Sequence, residues 1–144
     1  MRVEFTVGGL PPKKDGANSM WGKDVEIPRL RDLRRAALDA MKRGRLAEPF
    51  QRNIVLDLEL HVQAGDVAIV GDLDKFVTGV CDGLMAASGD RWRSFRYPEP
   101  EWTGIQPGRA VAIQDDAHVV VIRARKVPDD NGKPWYKVAL EASA

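Results

Sequence analysis

Residues 2–7 alternate, with Val3, Phe5 and Val7 on one side and polar residues between them, which predicts a short strand. Residues 8–18 hold Gly-Gly, Pro-Pro and Lys-Lys pairs and read as a loop. Leu30, Leu33, Ala37 and Met41 then recur at helical spacing, between Pro28, which suits a first turn, and Gly44, which suits an end. The remaining face of this helix, with Arg31, Arg34, Arg35, Lys42 and Arg43, reads as basic and solvated. From Ile54 to Val62 the alternation is clean: Leu56, Leu58, Leu60 and Val62 inward, Asp57, Glu59 and His61 outward. Leu73, Phe76, Val77, Val80 and Leu84 mark one stripe of a second helix. Residues 118–126 and 135–141 are two further strands, and Asn131-Gly132 in their connection suggests an antiparallel hairpin with a loop longer than two residues.

The order strand, helix, strand, helix, strand, strand predicts an α+β fold with a mixed sheet of about four strands and helices packed on it. Strands joined through helices are expected to run parallel, and the hairpin to add an antiparallel edge. Residues 88–114 show no steady period and many Gly and Pro, so they read as a long insertion in one domain spanning 1–144.

At 144 residues and 44% apolar positions, the chain has the size of one domain that buries a core without disulfides or a structural metal. The single cysteine, Cys81, suits a reducing cytoplasm. No apolar stretch reaches the ~18 residues of a membrane span, and the N-terminus lacks a signal-peptide core, so a soluble cytoplasmic protein with no membrane partner is expected. Near-balanced charge, 22 Lys plus Arg against 21 Asp plus Glu, excludes a polyelectrolyte tail or a histone-like protein. Charge is nevertheless sorted. Residues 1–52 carry 12 basic and 7 acidic side chains, whereas 53–90 hold Lys75 alone against 7 acids. An acidic middle between basic flanks suits a metal-dependent enzyme acting on a polyanion, or merely two solvated faces.

The acids cluster around the second helix. Asp72 and Asp74 stand two apart, so on an extended segment both reach one cation, with Asp74 as the helix N-cap. Asp74, Lys75, Thr78 and Asp82 fall within an arc of about 100° on the helix, opposite the apolar stripe. Asp115-Asp116 supplies a second pair before the third strand. Magnesium takes oxygen ligands and one or two carboxylates, a need that Asp72, Asp74 and Asp116 meet; manganese suits the same ligands. Taken singly, each aspartate is as well explained as a cap or a turn residue.

Asp72-Leu73-Asp74, then Asp82-Gly83-Leu84, then Asp115-Asp116 before Val119-Val120 resembles the RusA-type Holliday-junction resolvases. The early Pro11-Pro12 and the Lys126 region extend the likeness over most of the chain. The resemblance implies a homodimer that cuts four-way or branched DNA junctions in recombination and repair, using magnesium and three aspartates. Carried over by position, these are Asp72, Asp74 and Asp116. Lys75 stands where the family has asparagine, and Thr78 where it has a lysine, so Lys75 is the candidate for the catalytic cation.

Nucleic-acid contacts are expected from Lys13 and Lys14 in the first loop and from Arg91, Arg93 and Arg96. The last three interleave with Trp92, Phe95 and Tyr97; arginine forks bind phosphate and aromatic faces stack on unpaired bases. His61 and His118 read as exposed strand residues and Cys81 as a small core hydrophobe. The spacing of Gly79 and Gly83 marks a close backbone approach, from within the subunit or from a second one. A magnesium-dependent, structure-selective endodeoxyribonuclease is the expected function; a non-catalytic DNA-binding or structural protein on the same fold is the alternative.

Overall fold

Alternating apolar residues build three of the four strands, and the two helices cover the face to which those residues point. The structure, a computed structural model, describes residues 1–15, 20–87, 103–105 and 108–142. In chain order the elements are β1 (Arg2–Gly8), α1 (Glu26–Arg43), β2 (Ile54–Val62), α2 (Leu73–Leu84), β3 (Val119–Pro128) and β4 (Trp135–Ala142). Short 3-10 turns at Met20–Gly22, Ala64–Asp66 and Asp116–His118 complete the described elements. The sheet order is β1-β4-β2-β3, with β2 and β3 parallel and β4 antiparallel to both of its neighbours. This is the mixed four-stranded α+β sheet that the pattern predicts.

The expected β3–β4 hairpin does not form, because β2 lies between the two strands. The reason lies in their side chains. Tyr136, Val138, Ala139 and Leu140 of β4 are buried and need neighbours on both sides, whereas β3 is largely exposed. A strand that buries both faces takes the centre, and one carrying Arg123, Arg125 and Lys126 takes the edge. The connection crosses the end of β2 instead, where the Asp129 amide donates to the Val62 carbonyl at 2.7 Å.

Val3, Phe5 and Val7 stand opposite Leu140, Val138 and Tyr136, which stand opposite Leu56, Leu58 and Leu60. All nine are buried. Against them pack Leu33, Ala37 and Met41 of α1 and Phe76, Val80 and Leu84 of α2. The other sheet face is polar. Asp57 accepts two bonds from Arg123 (2.6 and 3.1 Å) and Glu59 two from Arg125 (3.2 and 2.6 Å). His61, expected in solvent, is half-buried there, stacked 3.9 Å from the Trp135 ring and 2.6 Å from Glu59.

One further expectation needs correction. Arg34 does not belong to the solvated face of α1; it is fully buried and donates to the carbonyls of Gly83 (2.8 Å) and Met85 (2.6 Å). Its place on the apolar stripe, four residues from Leu30 and three from Ala37, takes it inward. The C-terminal end of the 88–114 stretch packs against the end of α2. Ala112 and Ile113 are buried, and the amides of Val111, Ala112 and Ile113 converge on the Leu84 carbonyl at 3.0–3.2 Å.

Candidate metal and nucleic-acid site along the second helix

Gly71 adopts a φ of +134°, a conformation L side chains rarely take, and turns the chain into α2. Lys126 of β3 fixes that turn by donating to the carbonyls of Val67 (2.7 Å) and Gly71 (2.6 Å). Asp72 is the extended residue at the N-cap, not Asp74, and its side chain makes no capping bond. Asp74 lies in the first helical turn, exposed. Negative charge here is favoured by the partial positive charge of the helix start, by about 0.3–1 kcal/mol per group.

Lys75 reaches Asp15 at 3.0 Å and Asp72 at 3.6 Å. Hydrogen bonding to Lys75, and then its charge, holds the Asp15 carboxyl below its ordinary value; the same contacts raise the Lys75 pKa. Thr78 returns its hydroxyl to the Asp74 carbonyl at 3.0 Å.

The first loop lies directly on α2. The Lys14 amide donates to the Lys75 carbonyl at 3.2 Å, and the Lys13 amide to the buried Glu26 carboxylate at 3.0 Å. Lys14 Nζ pairs with Asp82 at 3.0 Å, and Lys13 Nζ lies 3.8 Å from Asp15. The contact is close because position 79 has no side chain: a Cβ there stands 2.0 Å from the Pro12 carbonyl oxygen. The close backbone approach marked by Gly79 thus comes from within the subunit. Gly83 faces Leu33 and Leu30 of α1 in the same way. Gly79→Ala is expected to lift the loop from the helix and cost about 1–3 kcal/mol, read from urea denaturation.

Asp116 sits beyond the other end of α2, its amide 3.2 Å from the Met85 sulfur. Asp115 accepts from the Ala117 amide at 2.9 Å and turns the chain into β3. Desolvation, followed by repulsion from Asp82 and Asp115, raises the Asp116 carboxyl above its ordinary value, against the pull of Lys14. Asp82 lies two helical turns from Asp74, about 12 Å along the axis. One chain therefore holds two acidic groups, Asp72 and Asp74 at the start of α2 and Asp116 with Asp82 at its end. Among the described residues no three His, Cys, Asp or Glu side chains are grouped closely enough to hold a metal ion.

Asp72 and Asp74 are both exposed carboxylates, the oxygen donors that magnesium takes, and that ion commonly uses one or two protein carboxylates and keeps several waters. His118 is exposed, and burial pushes the Cys81 thiol up to about 12, so it is an inert part of the core. Asp15 and Asp82 are the site residues that the sequence reading did not assign. Asp82 was marked by its arc on α2, whereas Asp15 reaches Lys75 only through the folded loop. Arg91, Arg93 and Arg96 lie outside the described residues. Among the described residues no helix is long and apolar enough to cross a membrane.

No protein-family model matches the chain, and no curated protein matches it.

Proposed function

We propose that the protein is a RusA-like, magnesium-dependent endodeoxyribonuclease that cuts four-way or branched DNA junctions in recombination and repair, as a homodimer in the cytoplasm. The observation that carries this reading is the accessible start of α2, where exposed Asp72 lies 3.6 Å from Lys75, exposed Asp74 follows in the first turn, and the Lys13–Lys14 loop lies against the helix at Lys75. Asp72 and Asp74 hold the metal, with manganese as a substitute, and Asp116 is the third acid. Bound there, the ion supplies a water of lowered pKa and neutralises charge at the scissile phosphate. Lys13 and Lys14, backed by Arg91, Arg93 and Arg96, hold neighbouring phosphates. Lys75, held in place by Asp15, offers its ammonium to the charge that develops on the phosphate.

Lys75→Ala is expected to lower cleavage about a hundredfold or more while junction binding changes less than about threefold. Unchanged cleavage makes Lys75 a surface residue. One observation favours a second reading, a non-catalytic junction-binding protein: Thr78 stands in the family's lysine position with its hydroxyl turned back onto its own helix. Gel-shift and cleavage assays on one labelled four-way junction separate the two. Binding with metal-dependent nicking supports the nuclease; binding without nicking, in magnesium or manganese, supports the second reading.

A further inference from the structure

Three lysines from separate parts of the chain converge on Asp15. Its carboxylate lies 3.0 Å from Lys75 Nζ of α2 and 3.8 Å from Lys13 Nζ of the first loop. Lys23, just after the 3-10 turn Met20–Gly22, donates to the Asp15 carbonyl at 2.8 Å. Hydrogen bonding to Lys75 leads, followed by the charges of Lys75, Lys13 and Lys23, in holding the Asp15 carboxyl below its ordinary value. Further along α2, Asp82 meets Lys14 Nζ at 3.0 Å. Lys13, Lys14 and Lys75, the lysines proposed to meet phosphate, thus each face a carboxylate of their own chain already. The pairs are open to solvent: the Asp15, Lys75 and Lys14 side chains are 47%, 38% and 44% exposed.

We infer that Asp15 and Asp82 are built-in counterions of a phosphate-binding surface, each occupying, beside its lysine, the place that a phosphate of the DNA backbone takes on binding. The inference rests on the proposed nucleic-acid function but not on cleavage. A carboxylate and a backbone phosphodiester each carry one negative charge and accept from the same ammonium donors. One therefore replaces the other without leaving a lysine unpaired. Lys75 passes from Asp15 to phosphate, and Lys14 from Asp82. Lys23 grips the backbone of residue 15, so the loop stays on the helix while the Asp15 side chain turns away.

The exchange also explains why Lys75→Ala is expected to change junction binding so little: what phosphate gains at Lys75 is offset by the loss of the Asp15 pair. Removing the acid acts the other way, because the lysine is then free beforehand. The acids weaken the hold on any single phosphate and reserve tight binding for a polyanion that meets several lysines at once.

Fluorescence anisotropy with a labelled four-way junction, in chelator so that no strand is cut, tests the exchange. Asp15→Asn and Asp82→Asn are each expected to tighten binding about threefold at a fixed low salt concentration, with circular dichroism unchanged. The gain is expected to fall below about 1.5-fold where the partner lysine is already alanine, for Asp15→Asn in Lys75→Ala and for Asp82→Asn in Lys14→Ala. An unchanged or weaker affinity in the single variants overturns the inference. An equal gain with and without the lysine overturns it too, because each acid is then a bystander charge that merely repels DNA. Both results leave the nucleic-acid reading standing, since the parent binds. Failure of the parent and of both variants to bind removes the nucleic-acid reading and this inference together.

Discussion

Replacing Arg34 with leucine is expected to destabilise the protein by about 3–5 kcal/mol, a large part of the 5–15 kcal/mol typical of a domain. The guanidinium is fully buried and donates to Gly83 O at 2.8 Å and Met85 O at 2.6 Å. A helix leaves its last carbonyls without intrahelical partners, and α2 ends inside the protein. Arg34 satisfies two carbonyls at that end, while the amides of residues 111–113 satisfy Leu84 O. Its positive charge also complements the partial negative charge of the helix end. The guanidinium lies 5.2 Å from the centre of the Trp21 ring, which ties the 3-10 turn Met20–Gly22 to both helices. Leucine fills part of the space but leaves both carbonyls unpaired. Thermal unfolding is expected to drop by about 10 °C or more. A loss below about 1 kcal/mol contradicts this account of how α2 is anchored.

Asp74→Asn is expected to remove cleavage, by about a thousandfold or more, while the fold stays intact. Asp74 is exposed in the first turn of α2, and the N-cap position belongs to Asp72, so asparagine at 74 breaks no cap. The variant loses only the attraction between a carboxylate and the helix start, about 0.3–1 kcal/mol. Its melting curve should therefore nearly overlay that of the parent, and its junction binding should persist. An inactive variant that also unfolds points to a structural role for Asp74. A fully active one removes Asp74 from the metal site.

The sheet and its helices were largely legible because their apolar periods are strong. β2 begins and ends where the pattern places it, and α2 spans the apolar stripe from Leu73 to Leu84, with its N-cap two residues earlier than the Asp72-Leu73-Asp74 spacing suggests. Strand order was less legible. The Asn131-Gly132 signal describes a turn, but whether the flanking strands pair depends on which of them must bury both faces. Arg34 is charged yet sits on the apolar stripe between Leu30 and Ala37, and its position rather than its charge decides its burial. At the site, the acids and Lys75 stood out by spacing along the chain. Their division between the two ends of α2 did not, since the separation of Asp74 from Asp116 is set by the length of the helix and the path of residues 108–118. Lys126 as the anchor of the Gly71 turn was equally hidden, being a contact between residues 55 apart in the chain.

The most direct test of the proposed function is the incubation of the purified full chain with a synthetic four-way DNA junction, labelled on each strand in turn, with magnesium, manganese or chelator. Paired nicks near the branch point are expected, dependent on the metal, leaving 5′-phosphate and 3′-hydroxyl ends and sparing linear duplex of the same sequence. An intact junction in both metals, at protein concentrations that shift it fully in a gel, contradicts the nuclease.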